Sequence, residues 1–139
     1  MNHDEIRVLF VDDDPLILRA LKRVLRDLPF ASWFTTEAEH ALQIVGEEAI
    51  DVVVSDLMMP AMSGLSLLSA MRDVHPGVVR ILLTGEAASD IVVVDERLLH
   101  RVLHKPWDNQ ALRAELTRIV EALREHRGHL GDSSPIRAA

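Results

Sequence analysis

Three acidic residues stand in a row at Asp12-Asp13-Asp14, and a fourth, Asp56, closes the apolar run Val52-Val53-Val54-Ser55. Thr84 ends the run VVRILL, and Lys105 follows the short stretch RVLH. Apolar runs of this length without alternation suit strands buried on both faces. Each of these residues is therefore expected where such a strand surfaces at its carboxyl end. In open α/β sheets that edge is where ligands bind. Two carboxylates about 4 Å apart repel by roughly 4 kcal/mol at an effective dielectric of 20. A cluster of Asp12, Asp13 and Asp56 thus needs protons, water or a cation. Hard oxygen donors with no histidine or cysteine beside them favour Mg2+. With the hydroxyl of Thr84 and the ammonium of Lys105 nearby, Asp56 is expected to accept a phosphoryl group. Asp14 is assigned a plainer role, as the cap of a helix that Pro15 opens.

The elements that must position these residues alternate along the chain. Ile6–Val11 is expected as a first strand. Leu18, Leu21, Leu25 and Leu28 recur at helical spacing between cationic residues, up to the stop at Pro29. Ala31–Thr35 reads as a second strand. Thr36 with Glu39 reads as a capping box for a second helix through about Glu48. Ile50–Ser55 is the third strand. Ser63 or Gly64 opens a third helix, with Gly64 read as a loop position needing positive φ. Val78–Leu83 is the fourth strand and Arg101–Leu103 a brief fifth. Between them, residues 87–99 start like a helix but contain the β-branched run Ile91-Val92-Val93-Val94. Asp108 caps a last helix with Leu112, Leu116, Ile119, Val120 and Leu123 on one face. Five strands alternating with five helices imply a doubly wound α/β fold, a flavodoxin-like (βα)5 parallel sheet of order 2-1-3-4-5. Residues 1–127 are expected to form one domain, and 128–139 a disordered tail or the start of a linker.

Composition limits the function further. The chain has 139 residues, 48% hydrophobic and 27% charged, with no cysteine. Disulfides, zinc-thiolate sites and thiol catalysis are excluded. The net charge of −7 argues against gripping nucleic acid through its phosphates. No apolar run approaches the roughly 20 residues that span a bilayer, and the first ten residues lack the order of a signal peptide.

The segments FVDDDP, SDLMMPAMSG, LLTGE and HKPW, at these strand ends and in this order, resemble the CheY-like receiver domain of two-component response regulators. The resemblance covers roughly Ile6 to Leu123. It implies that Asp56 becomes an aspartyl phosphate, that Asp13 binds Mg2+ directly and that Asp12 holds the ion through water. The backbone carbonyl of Met58 matches a further metal ligand. Lys105 matches the lysine that pairs with the acceptor, Thr84 the hydroxyl that turns to the phosphoryl group, and Pro106 a cis-proline. It also implies a cytoplasmic signalling protein that promotes only its own phosphorylation and dephosphorylation. The implied partners are a sensor histidine kinase or phosphotransfer protein, and an output protein or fused effector. The fourth helix, fifth strand and last helix match the face used for output and for a homodimer. Neither nucleic acid nor membrane is an implied ligand. The KPW-Asp ending is similar to receivers joined to HD-type phosphodiesterases or other enzymatic outputs. The chain departs from many receivers at Val102, where an aromatic side chain usually swings inward. Two other readings stay open: a haloacid-dehalogenase-type phosphatase with Asp12 as nucleophile and Asp14 as acid/base, and a receiver kept only as a docking module.

Overall fold

The valine run at residues 52–55 is the middle strand of a five-stranded parallel sheet. The computed structural model describes residues 5–85 and 99–132, with the side chains described as far as residue 127. Its strands are β1 (Arg7–Val11), β2 (Ala31–Thr35), β3 (Val52–Ser55), β4 (Val79–Thr84) and β5 (Arg101–His104). They lie in the order β2-β1-β3-β4-β5, every pair parallel, as the flavodoxin-like expectation requires. Four helices are described: α1 (Pro15–Val24), α2 (Ala38–Glu47), α3 (Gly64–Val74) and α4 (Asn109–Asp132). The expected fourth helix, at residues 87–99, lies almost entirely outside the described residues.

Successive residues along a strand point to opposite faces of the sheet. Leu9, Val53 and Leu82 pack with Ile44, Leu67 and Met71 on the α2–α3 side. Val8, Phe10, Val52, Val54 and Ile81 pack with Leu21, Leu116 and Val120 on the α1–α4 side. Two filled faces explain why β1, β3 and β4 read as apolar runs, whereas the edge strands β2 and β5 are partly exposed. Burying each such side chain contributes roughly 1.5–3 kcal/mol.

The caps hold in three places. Asp14 accepts from Leu16 N at 2.9 Å, Ser63 from Ser66 N at 3.1 Å and Asp108 from Ala111 N at 2.9 Å. The capping box at Thr36 does not form. Glu37 stands at the N-cap of α2 without a side-chain cap bond, and Glu37 N donates instead to the Thr35 hydroxyl at 3.2 Å. Helix α1 ends at Val24, short of Pro29, and the Val24 carbonyl is taken by the Arg113 guanidinium at 2.7 Å. Helix α4 continues to Asp132, so the first residues of the expected tail, from Gly128, are helical.

Candidate functional site

The parallel order puts the ends of β1, β3, β4 and β5 along one edge, and the loops there carry the acidic residues. Asp12 and Asp56 follow the last residues of β1 and β3, which are paired with each other as Val11 and Ser55. The register is locked at the site itself, since Asp56 N donates to the Val11 carbonyl at 2.9 Å. One carboxylate oxygen from each of Asp12, Asp13 and Asp56 lies within 4.8 Å of the other two. Asp12 is 3% exposed and Asp56 9%, whereas Asp13 faces solvent. Asp12 also accepts from Asp14 N at 2.9 Å, which fixes its carboxylate against the loop.

Lys105 crosses to this cluster from the end of β5. Its Nζ lies 2.7 Å from Asp12 Oδ2 and 3.2 Å from Asp56 Oδ1, so the ammonium bridges two of the three carboxylates. Its backbone N–H donates to the Thr84 carbonyl at 2.8 Å, and the Lys105–Pro106 peptide is cis. Thr84 is buried at the end of β4. Burial, and then the Asp12 carboxylate, push the Asp56 carboxyl above its ordinary 3.8, against the pull of Lys105. Burial pulls the Lys105 ammonium down, but the hydrogen bond and charge of Asp12, with those of Asp56, carry it above its ordinary 10.5. Lys105 thus stays charged at neutral pH. Three carboxylates facing one ammonium leave two negative charges, and every acidic donor is a hard oxygen. A divalent hard cation fits this set.

Two neighbours of Asp56 were not tied to the site from sequence. The buried Ser55 hydroxyl donates to the Asp56 carbonyl at 2.9 Å. Gly64 does not have positive φ, contrary to the loop reading. It is needed because a Cβ there would stand 2.0 Å from the Asp56 carbonyl oxygen. Its N–H donates to the Leu57 carbonyl at 2.7 Å, which brings the start of α3 down onto the acceptor loop. The serine ending a valine run was a visible sign for Ser55; nothing local marks the close approach at Gly64. Asp14 accepts from Leu16 N as the α1 cap and is not among the three converging residues. Trp107 packs against the α1–α4 core and donates to Asn109 Oδ1 at 3.0 Å, a packing role. The Met58 side chain is 64% exposed.

The response regulator receiver domain family matches residues 8–117. The transcriptional regulatory protein GlrR of Escherichia coli K12 is 32% identical over 113 residues, 81% of this chain and 26% of that protein. The transcriptional regulatory protein PrrA of Mycobacterium tuberculosis is 34% identical over 129 residues, 92% of this chain and 54% of that one. This chain therefore spans a quarter to a half of these relatives. Among solved structures, the signal receiver domain of an HD domain-containing protein from Pseudomonas fluorescens Pf-5 superposes with a TM-score of 0.79. It is 32% identical and covers 88% of this chain and 98% of that one.

Proposed function

We propose, from the premise that this chain belongs to the response regulator receiver family, that Asp56 takes a phosphoryl group and thereby switches an output surface. The observation that carries this reading is the convergence of Asp12, Asp13 and Asp56 under Lys105 at one sheet edge. The donor is the phosphohistidine of a sensor kinase or phosphotransfer protein. A carboxylate oxygen of Asp56 attacks phosphorus, the new O–P bond forms as the P–N bond breaks, and the electron pair leaves on the imidazole nitrogen. Asp12, Asp13, Asp56 and the backbone carbonyl of Met58 would hold Mg2+. Bound there, the ion supplies positive charge for the phosphoryl oxygens. Lys105 supplies a second cation and moves from the carboxylates to a phosphoryl oxygen. The Thr84 hydroxyl donates to another. Phosphoryl transfer needs alignment and charge neutralisation more than covalent help, and these side chains provide both.

The chain turns over no other molecule. It promotes its own phosphorylation and hydrolysis, in the cytoplasm. None of the described helices is long and apolar enough to cross a membrane. Residues 1–127 form the receiver unit, and 128–139 act as a tail or linker beyond it. Output passes through residues 86–98, β5 and α4, to a partner protein, a fused effector or a second copy. Val102 sits half-buried against the α2–α3 core in the place of an aromatic rotor, so the surface responds through backbone and packing shifts.

The test is an amide NMR titration with beryllofluoride, a stable phosphoryl mimic, with and without Mg2+. Mg2+-dependent shifts at Asp13, Asp56, Thr84 and Lys105 are expected, spreading into residues 86–104 and α4. Shifts confined to the site would reduce the protein to a docking module, and no response would sink the phosphoacceptor reading. Asp56→Asn is expected to abolish phosphorylation by a phosphohistidine donor with the amide spectrum otherwise folded. Phosphorylation that persists in that variant moves the acceptor elsewhere.

A further inference from the structure

Among the described side chains, the last buried apolar contacts of α4 are Leu112, Leu116 and Val120, with Leu123 partly buried behind them. Residues 124–127, the last whose side chains are described, read Arg-Glu-His-Arg, with no apolar side chain among them. Gly128 adds a helix-weakening residue worth about 1 kcal/mol against alanine. Yet α4 continues to Asp132. Beyond Leu123, two arginines tie this part of the helix to the rest of the chain. Arg124 donates to the Pro29 carbonyl, and Arg127 forms an ion pair with Asp51.

We propose that Asp51 and Arg127 clamp the end of α4 to the base of the sheet, and so fix the angle at which this helix leaves it. Asp51 is well placed to be the fixed half. Its other carboxylate oxygen accepts from Arg7 N at 2.8 Å, and its own N–H donates to the Arg7 carbonyl at 2.8 Å. The Arg7 guanidinium in turn donates to the Glu48 carbonyl at 2.6 Å and lies 5.8 Å from the Trp33 ring centroid. The side chains of the pair are 34% and 18% exposed, so solvent screens them less than a free surface pair. Asp51 precedes β3 and Arg7 begins β1, the two strands whose far ends carry Asp56 and Asp12. The clamp therefore roots α4 on the same strands that hold the acidic site. Only the use of that exit angle, in passing a signal onward, rests on the switch proposed above; the clamp itself does not.

The chain has no cysteine, so paired labels are simple to place. Spin labels at the exposed positions Asp27→Cys and Glu125→Cys report the distance from the α1 end to the α4 end. A narrow distribution is expected in the parent. Arg127→Gln and Asp51→Asn are each expected to broaden it, and the double variant to broaden it no further. Asp51→Asn keeps an oxygen for Arg7 N. Arg118→Gln, which breaks the exposed pair with Glu115, is expected to change nothing. Amide exchange at residues 124–127 should rise roughly fivefold in each clamp variant, with residues 112–120 unchanged. A distribution that stays narrow in Arg127→Gln overturns the clamp. So does broadening by Arg127→Gln alone, or an exchange increase shared by the whole chain. Asp56→Asn leaves the parent distribution intact, which separates failure of the clamp from failure of the phosphoacceptor reading.

Discussion

Asp56 carries its charge in an unfavourable place. Burial and the Asp12 carboxylate hold its carboxyl above 3.8, so the folded chain binds that proton more tightly than the unfolded chain does. Stability is then lost as pH rises from 3.8 through the folded value, and the full penalty stands at neutral pH. Asp56→Asn removes it. In chelator at pH 7, that variant should melt a few degrees above the parent, because the buried charge and its repulsion with Asp12 are both gone. The gain should shrink toward zero near pH 3. An equal gain at both pH values would mean that the charge is not its cause. Gly64 makes the opposite kind of prediction. The atoms nearest its missing Cβ are the Asp56 carbonyl oxygen and carbon and Leu57 Cα, all backbone, so the acceptor loop itself must move to admit alanine. Gly64→Ala should destabilise by about 3 kcal/mol in a urea melt and weaken Mg2+ binding with it. A variant as stable as the parent would show that the loop yields freely.

At the scale of elements, legibility followed burial. The central strands β1, β3 and β4 were visible because both sheet faces are filled there, which turns each into an apolar run, and strand order followed from the βαβ count. Asp12, Asp13, Asp56 and Thr84 were visible because they close such runs, and Lys105 because it follows the short strand β5. Helix ends were less legible, because long-range partners decide them. Arg113 takes the last carbonyl of α1 from 89 residues away. Arg127 helps to carry α4 past Gly128 from a partner 76 residues back. At the start of α2 the Thr35 hydroxyl takes the N–H of Glu37, and Glu37 rather than Thr36 stands at the N-cap. The end of α2 offers a direct test. Ala49, exposed and just past the C-cap, has φ of 52°, a conformation that disfavours a Cβ. Ala49→Gly should stabilise the chain by about 0.5–1 kcal/mol, read as a higher urea midpoint at unchanged slope. A loss of stability would place the flexibility of the unfolded glycine above the strain relieved.

At the scale of the molecule, folding assembles a charge cluster that the unfolded chain does not have. Asp12 and Asp56 are 44 positions apart in sequence, and only the β1–β3 pairing brings them together. A cation held by all three carboxylates therefore binds the folded state far better than the unfolded one, and must stabilise it. At a hundredfold excess over Kd the gain is about 2.7 kcal/mol, or roughly 8–12 °C in Tm for a domain of this size. Asp13 is the informative residue to remove, since it is exposed and carries little of the fold. Asp13→Asn should melt close to the parent in chelator yet lose most of the rise with Mg2+. Lys105→Met should do the reverse. Without the ammonium, the buried Asp12 and Asp56 charges face each other unopposed, so the variant should melt lower in chelator and gain more from Mg2+ than the parent does. If Asp13→Asn kept the whole rise at the same half-saturating Mg2+, the ion would sit elsewhere on the protein. The acidic edge would then be a cluster held by Lys105 alone.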